Sequence, residues 1–143
     1  TAITSQKQLI IDTTVTEAFR VNRNGDSEDI LVVDTTNRHI TLNAAQIVKR
    51  TTVADADYTQ LVGDYIIGYT SLSTGRTVTL VAAATAGAGF TLIIKDEAGS
   101  AGTNNITVDG NGTETIDGST TQVINNNYGS LTLYCDGSNW FII

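Results

Sequence analysis

The chain has 143 residues and a mass of 15.1 kDa, enough for one domain or for a compact domain with a slender extension. Charged residues make up 16% of it, against about 25% in an ordinary soluble domain, and Thr, Ser, Asn and Gly take their place. A net charge of -7 and a pI near 4.4 argue against a nucleic-acid partner, which needs Lys and Arg gathered on one face to neutralise phosphates.

Uncharged hydroxyls and amides are buried between chains at less desolvation cost than Lys or Glu, so association is plausible. No apolar run of about 18 residues is present and no charged n-region precedes an apolar stretch, so neither membrane insertion nor a signal peptide is expected. The absence of an initiating Met reads as a processed or shortened chain.

Residues 1–50 contain four short strand-like runs, Gln8 to Asp12, Ala18 to Asn22, Asp29 to Asp34 and Arg38 to Leu42. Turn signals separate them at Arg23-Asn24-Gly25-Asp26 and at Thr35-Thr36-Asn37. These runs are too few and too poor in large apolar residues to bury a core alone, and they read as an intertwined stalk completed by neighbouring copies. Helical periodicity is nearly absent: Ala44 to Val48 and Ala54 to Leu61 are the two stretches that fit a helical turn.

From residue 51 to 143 the strand signals lengthen: Asp64 to Thr70, Arg76 to Val81, Phe90 to Asp96, Asn105 to Val108, Gln122 to Asn125, Gly129 to Cys135 and Asn139 to Ile143. Seven short strands at a spacing of about ten residues fit an all-β sandwich or jelly-roll-like knob. Phe90 to Ile94, apolar almost throughout, reads as the central strand. Tyr65, Ile67 and Tyr69 share a face expected to be buried, as do Leu131, Leu133 and Cys135. Cys135 is the single cysteine, so no intrachain disulfide forms, and with no His near it in sequence it reads as an inert buried thiol. The closing run Trp140-Phe141-Ile142-Ile143, after an Asp136-Gly137 turn, is expected to pack, because exposed side chains of that size are costly.

Five pieces in order, DYIIGYTS, RTVTLVAA, GFTLIIKDEAG, NNITVDGNGTETIDG and YGSLTLYCDGSNWFII, resemble the C-terminal module of bacteriophage tail fibres and related virion appendages. FRVNRNGDSEDILVVDTTNRHITLN resembles the stalk segments that precede such modules. The resemblance covers most of the chain. It implies a parallel homotrimer whose N-terminal side joins the rest of the virion fibre and whose distal knob attaches the phage to a bacterial surface receptor, a glycan or a protein. The best-matching positions, Thr115 to Gly118, Tyr128 to Ser130, and Asp136, Gly137, Asn139 and Trp140, are turn and packing positions. Cys135 departs from the pattern, where similar endings carry a small polar residue. The resemblance leaves open a capsid head fibre or decoration protein, and a fragment of a polysaccharide-degrading tailspike.

No enzymatic chemistry or cofactor is expected. Asp96, Glu97, Asp109, Glu114 and Asp117 lie close enough in sequence to raise paired acids for glycoside hydrolysis, but all five fall at strand ends, where carboxylates bond to turn backbone. Asp109 to Glu114 fails the calcium-loop pattern, with Thr113 at the fifth position and Glu114 where the sharp-turn Gly is required. His39 supplies a metal site only if three copies meet on a threefold axis. For receptor contact the candidate residues are Asn104 and Asn105 in one loop and Asn126, Asn127 and Tyr128 in another, since amides donate to and accept from sugar hydroxyls while an aromatic face covers the apolar side of the ring.

Overall fold

The computed structural model describes residues 17–22, 29–34 and 37–143, which form a predominantly β protein in two compact units divided between Ile47 and Val48. The expected strand at Gln8 to Asp12 and the Asn24-Gly25 turn lie outside the described residues. In the first unit, β1 (Glu17–Asn22), β2 (Asp29–Asp34) and β3 (His39–Leu42) make an antiparallel sheet in that order. Its register sets Phe19, Val33 and Ile40 in one row and Val21, Leu31 and Leu42 in another. Ile40 is 65% exposed and Leu42 48%, so the β3 end of these apolar rows is uncovered within the unit. Arg38 belongs to the preceding turn, with a φ of 61°, and the strand starts one residue later.

The second unit contains β4 (Arg50–Val53), β5 (Tyr58–Thr59), β6 (Ile66–Tyr69), β7 (Arg76–Thr79), α1 (Ala83–Ala86), β8 (Thr91–Asp96), β9 (Ile106–Asp109), β10 (Thr121–Ile124), β11 (Ser130–Cys135) and β12 (Trp140–Ile142). They form a five-stranded sheet, β12-β11-β8-β6-β4, and a four-stranded sheet, β10-β9-β7-β5. Up to β9, successive strands alternate between the sheets, so β4, β6 and β8 run parallel in one and β5, β7 and β9 run parallel in the other. The chain thus winds as three coils. It is then closed by antiparallel strands: β10 on β9, β11 on β8 and β12 on β11.

Two layers of sheet are present, but this connectivity corrects the sandwich or jelly-roll expectation, whose pairing is antiparallel. A parallel neighbour requires a crossover connection, and here the strand of the opposite sheet serves as that crossover, so no long helix is needed.

Winding stacks equivalent residues. Ile67 lies beside Ile94, Val53 beside Tyr69 and then Asp96, and Val78 beside Val108, and one core draws on both sheets. β8 is the central strand of the larger sheet, with Leu92, Ile94 and Asp96 turned inward. Tyr69 and Ile67 are fully buried while Tyr65 is half-buried. Arg50 reaches across β6 to bind Glu97 through two nitrogens, one at 2.8 Å. Gly68, between them, leaves the room, because a Cβ there would collide with the Glu97 carboxylate.

Three local expectations change. Ala54 to Leu61 is not helical: it holds β5, and Asp55 binds Arg76 Nε at 2.7 Å while Asp57 accepts the Thr77 N–H at 2.9 Å, fixing an extended path. Ala44 to Val48 is irregular as well. The helical turn lies instead at α1, where the Glu114 carboxylate accepts the otherwise orphan N–H of Ala83 at 2.9 Å.

Cys135 is buried with its Sγ 3.0 Å from the Gly87 carbonyl. The β11–β12 hairpin turns at Gly137, with φ of 95°, and the Asp136 carboxylate accepts the N–H groups of Ser138 and Asn139. Packing holds for Trp140, which is fully buried edge-to-face with Phe90 at 6.1 Å, but not for Ile143, which is 70% exposed. Trp140→Ala is expected to cost about 3–5 kcal/mol. Trp140→Phe should cost much less, since the indole N–H has no acceptor among the described residues. Chemical denaturation of the two variants checks the order; negligible loss in both would place Trp140 outside the core.

Candidate functional site

The two loops singled out for receptor contact are held together by one carboxylate. Asp96 ends β8 and is fully buried. It accepts the N–H of Gly99 and of Ala101 at 2.9 Å, both in the β8–β9 loop, and the N–H of Tyr128 at 3.0 Å, in the β10–β11 loop. Burial pushes its pKa up, but the N–H groups of Ala101, Tyr128, Gly99 and Ser100 together outweigh burial and hold it below the usual carboxylate range. Asn127 adds a second tie, its Oδ1 accepting the Gly102 N–H at 2.9 Å. Lys95 Nζ donates to the Tyr128 carbonyl.

These contacts set Tyr128 in a left-handed conformation, φ 58°, that an aromatic residue rarely adopts. Its ring rests against Gly99 and is 64% exposed. Gly99 itself has a φ of 70°, and a Cβ there would strike the ring. The glycine therefore serves both its own backbone and the seat of the tyrosine.

The other four candidate residues divide. Asn104 is half-buried and its Nδ2 donates to the Leu72 carbonyl at 2.9 Å, so its amide is spent on the fold. Asn127 is exposed but committed through Oδ1 to Gly102. Asn105 and Asn126 are exposed, and their side chains make no hydrogen bond among the described residues. The main chain of both is used: the Asn105 carbonyl accepts from Arg76 N–H and the Asn126 carbonyl from Gly129 N–H, each at 2.9 Å. The residues sequence reading missed are Asp96, weighed as a hydrolytic acid and as a turn acid but not as a tie between two loops, and Gly99. The available signal was the Asp-Glu-Ala-Gly run at a strand end, in which an aspartate able to cap a turn precedes a glycine able to take positive φ.

Three of the remaining acids have local roles. Glu97 pairs with Arg50, Glu114 binds Ala83 N–H, and Asp117 Oδ1 accepts Ile142 N–H at 3.3 Å. Asp64 is a second buried carboxylate, receiving Lys49 Nζ at 2.9 Å, Thr51 Oγ1 at 2.6 Å, Tyr58 OH at 2.7 Å and Leu61 N–H at 2.9 Å. Burial alone would raise its pKa, yet these four donors bring it down to about 2. The Tyr58 hydroxyl is pushed up to about 12 by burial and by its bond to Asp64. His39 is exposed on β3, and among the described residues of one chain no three His, Cys, Asp or Glu are grouped to hold a metal ion.

No protein-family model matches the chain, and the search of curated proteins found no match.

Two outcomes follow from this geometry. Gly99→Ala strains the backbone and displaces the ring, whereas Gly87→Ala strains a similar φ of 90° with open space around its Cβ. Gly99→Ala should therefore lower Tm more, and speed amide exchange at Tyr128 and Ala101. Asp64 and Asp96 both have folded pKa values below the unfolded value of about 3.9, so their stabilisation is present above that value and is lost as pH falls through the folded pKa. Tm should hold steady from neutral pH down to about 4 and then fall steeply toward pH 2. Asp64→Asn should flatten that acid limb; an unchanged limb would remove Asp64 from the account.

Proposed function

We propose that this chain is the attachment tip of a bacteriophage tail fibre, a non-enzymatic trimer that holds a surface glycan of the host bacterium on the Tyr128 face. The observation that carries the reading is Tyr128 itself. A large aromatic side chain left 64% exposed in a left-handed backbone conformation costs stability, and strain of that kind clusters at binding sites. The fold commits the buried Asp96, the Asn127 amide and the absent side chain of Gly99 to keeping it there.

The chemistry beside the ring suits a sugar. Asn126, two positions before the ring, supplies a neutral amide that donates and accepts, Asn105 offers a second exposed amide farther along the β8–β9 loop, and the ring supplies a flat face for the C–H side of a pyranose. The charges in and beside these loops are engaged, Asp96 on main-chain N–H groups, Lys95 on the Tyr128 carbonyl and Glu97 on Arg50, which favours an uncharged glycan. Self-association is supported by the uncovered Ile40 and Leu42 of the first unit, whose row partners Val33 and Leu31 are half-buried. Copies of the chain meeting on that face would complete the stalk. The knob under this reading is the wound two-sheet unit from Val48 onward.

The test is competition: the purified protein, in excess, should block adsorption of the virion to its host. Tyr128→Asn keeps a residue that tolerates left-handed backbone and deletes the ring, so it should leave Tm unchanged or raised. It should weaken cell binding about tenfold, the equivalent of about 1.4 kcal/mol. Failure of the wild-type protein to bind cells, together with binding to the capsid, would replace this reading with that of a head fibre.

A further inference from the structure

We propose that Asn111-Gly112, in the loop between β9 and β10, is a site of spontaneous main-chain modification that converts the asparagine to aspartate or isoaspartate and releases the loop from the core. The reaction needs a side-chain carbonyl carbon within reach of the next residue's nitrogen, is fastest where that next residue has no side chain, and expels the side-chain amide nitrogen as ammonia.

Four Asn-Gly or Asp-Gly pairs occur among the described residues: Asp109-Gly110, Asn111-Gly112, Asp117-Gly118 and Asp136-Gly137. At the first, Gly110 is buried and its N–H is committed to the Thr120 carbonyl at 2.8 Å. At the last, the Asp136 carboxylate is pinned by the N–H groups of Ser138 and Asn139 at 2.8 Å each. Asp117 is held by Ile142 N–H, and an ionised carboxylate is a poor electrophile.

Asn111 and Gly112 are both exposed. Gly112 has a φ of 61° with open space around it, and its N–H meets no acceptor among the described residues. The Asn111 side chain is held by one bond, from Nδ2 to the Leu80 carbonyl at 3.2 Å, which leaves its Oδ1 without a partner among the described residues. Asparagine is among the residues that fail chemically under thermal stress.

In the reaction, the Gly112 nitrogen loses its proton to solvent base and bonds to Cγ of Asn111, and the Cγ–Nδ2 bond breaks to release ammonia. Water then opens the five-membered imide. Opening at Cγ gives aspartate, and opening at the main-chain carbonyl gives isoaspartate, with one more methylene in the backbone. One water is consumed, one ammonia leaves, and no oxidant or reductant takes part.

Either product removes the donor that reaches Leu80 and sets a carboxylate opposite that carbonyl. Isoaspartate also disturbs the turn closed by Glu114 N–H on the Asn111 carbonyl at 3.0 Å. Glu114 in turn holds the first N–H of α1, so the loosening reaches the core side of the loop.

The test incubates the whole folded protein in warm, mildly alkaline buffer, with a urea-denatured sample in parallel, and maps conversion by peptide mass and isoaspartate detection. Conversion at position 111 in the folded protein several-fold faster than at Asn105, Asn126 or Asn139 is the expected result. Asn111→Gln should abolish the product at that position while keeping Tm, and Asn111→Asp should lower Tm. An Asn111 that survives folded but converts in urea, or that converts no faster than Asn105, Asn126 and Asn139, would overturn the proposal.

Discussion

A carboxylate with no access to solvent stays charged only where the protein replaces water around it. Asp96 meets that condition with backbone N–H groups from two loops far apart in sequence, at Gly99 and Ala101 on one side and at Tyr128 on the other. The charge is therefore a constraint on shape as well as a contribution to stability. Both loops must fold inward toward the end of β8, or the buried charge is left without its donors. The exposed tyrosine, the tie through Asn127 and the seat on Gly99 all follow from that one requirement.

The same economy appears on the other side of the wound unit. Asp64 is surrounded by side-chain donors of the first coil, Lys49, Thr51 and Tyr58, and by the Leu61 N–H. Winding brings such groups into line because residues one coil apart stand in register. It also makes absence useful: Gly68 lets Arg50 reach Glu97 over the intervening strand. Asp96 stands at the end of the row that runs through Val53 and Tyr69, and the middle of the core is left to Ile67, Ile94, Val78, Val108 and Leu133.

Strand existence was legible wherever β-branched runs were bounded by Gly, Asn or Asp. All strands from β6 to β12 fall within or one residue beyond runs recognisable in the sequence. Arg50–Val53 and Tyr58–Thr59 were not, because Thr-rich or two-residue strands carry no apolar alternation and draw their order from neighbours in parallel register. Parallel pairing itself was illegible, since period-two patterning reports a buried face and says nothing of the direction of the adjacent strand. Of the candidate loops, composition pointed to the amides and the tyrosine but not to which amides are free. The inward turn of Asn104 toward Leu72 depends on a carbonyl 32 positions away. Asp96 looked like any turn acid, because burial is a property of what packs over a residue.

The Arg50–Glu97 strap also bears on how the unit resists being pulled. A pull applied along β4 would shear it against its parallel neighbour β6. Hydrogen bonds loaded that way are sheared together, whereas those of a hairpin peeled from its open end break in succession. The strap lies across the same strands and anchors beyond them on the segment following β8, so it takes up tension with the ladder. Winding in coils would consequently make this small unit stiffest to a pull along its parallel strands.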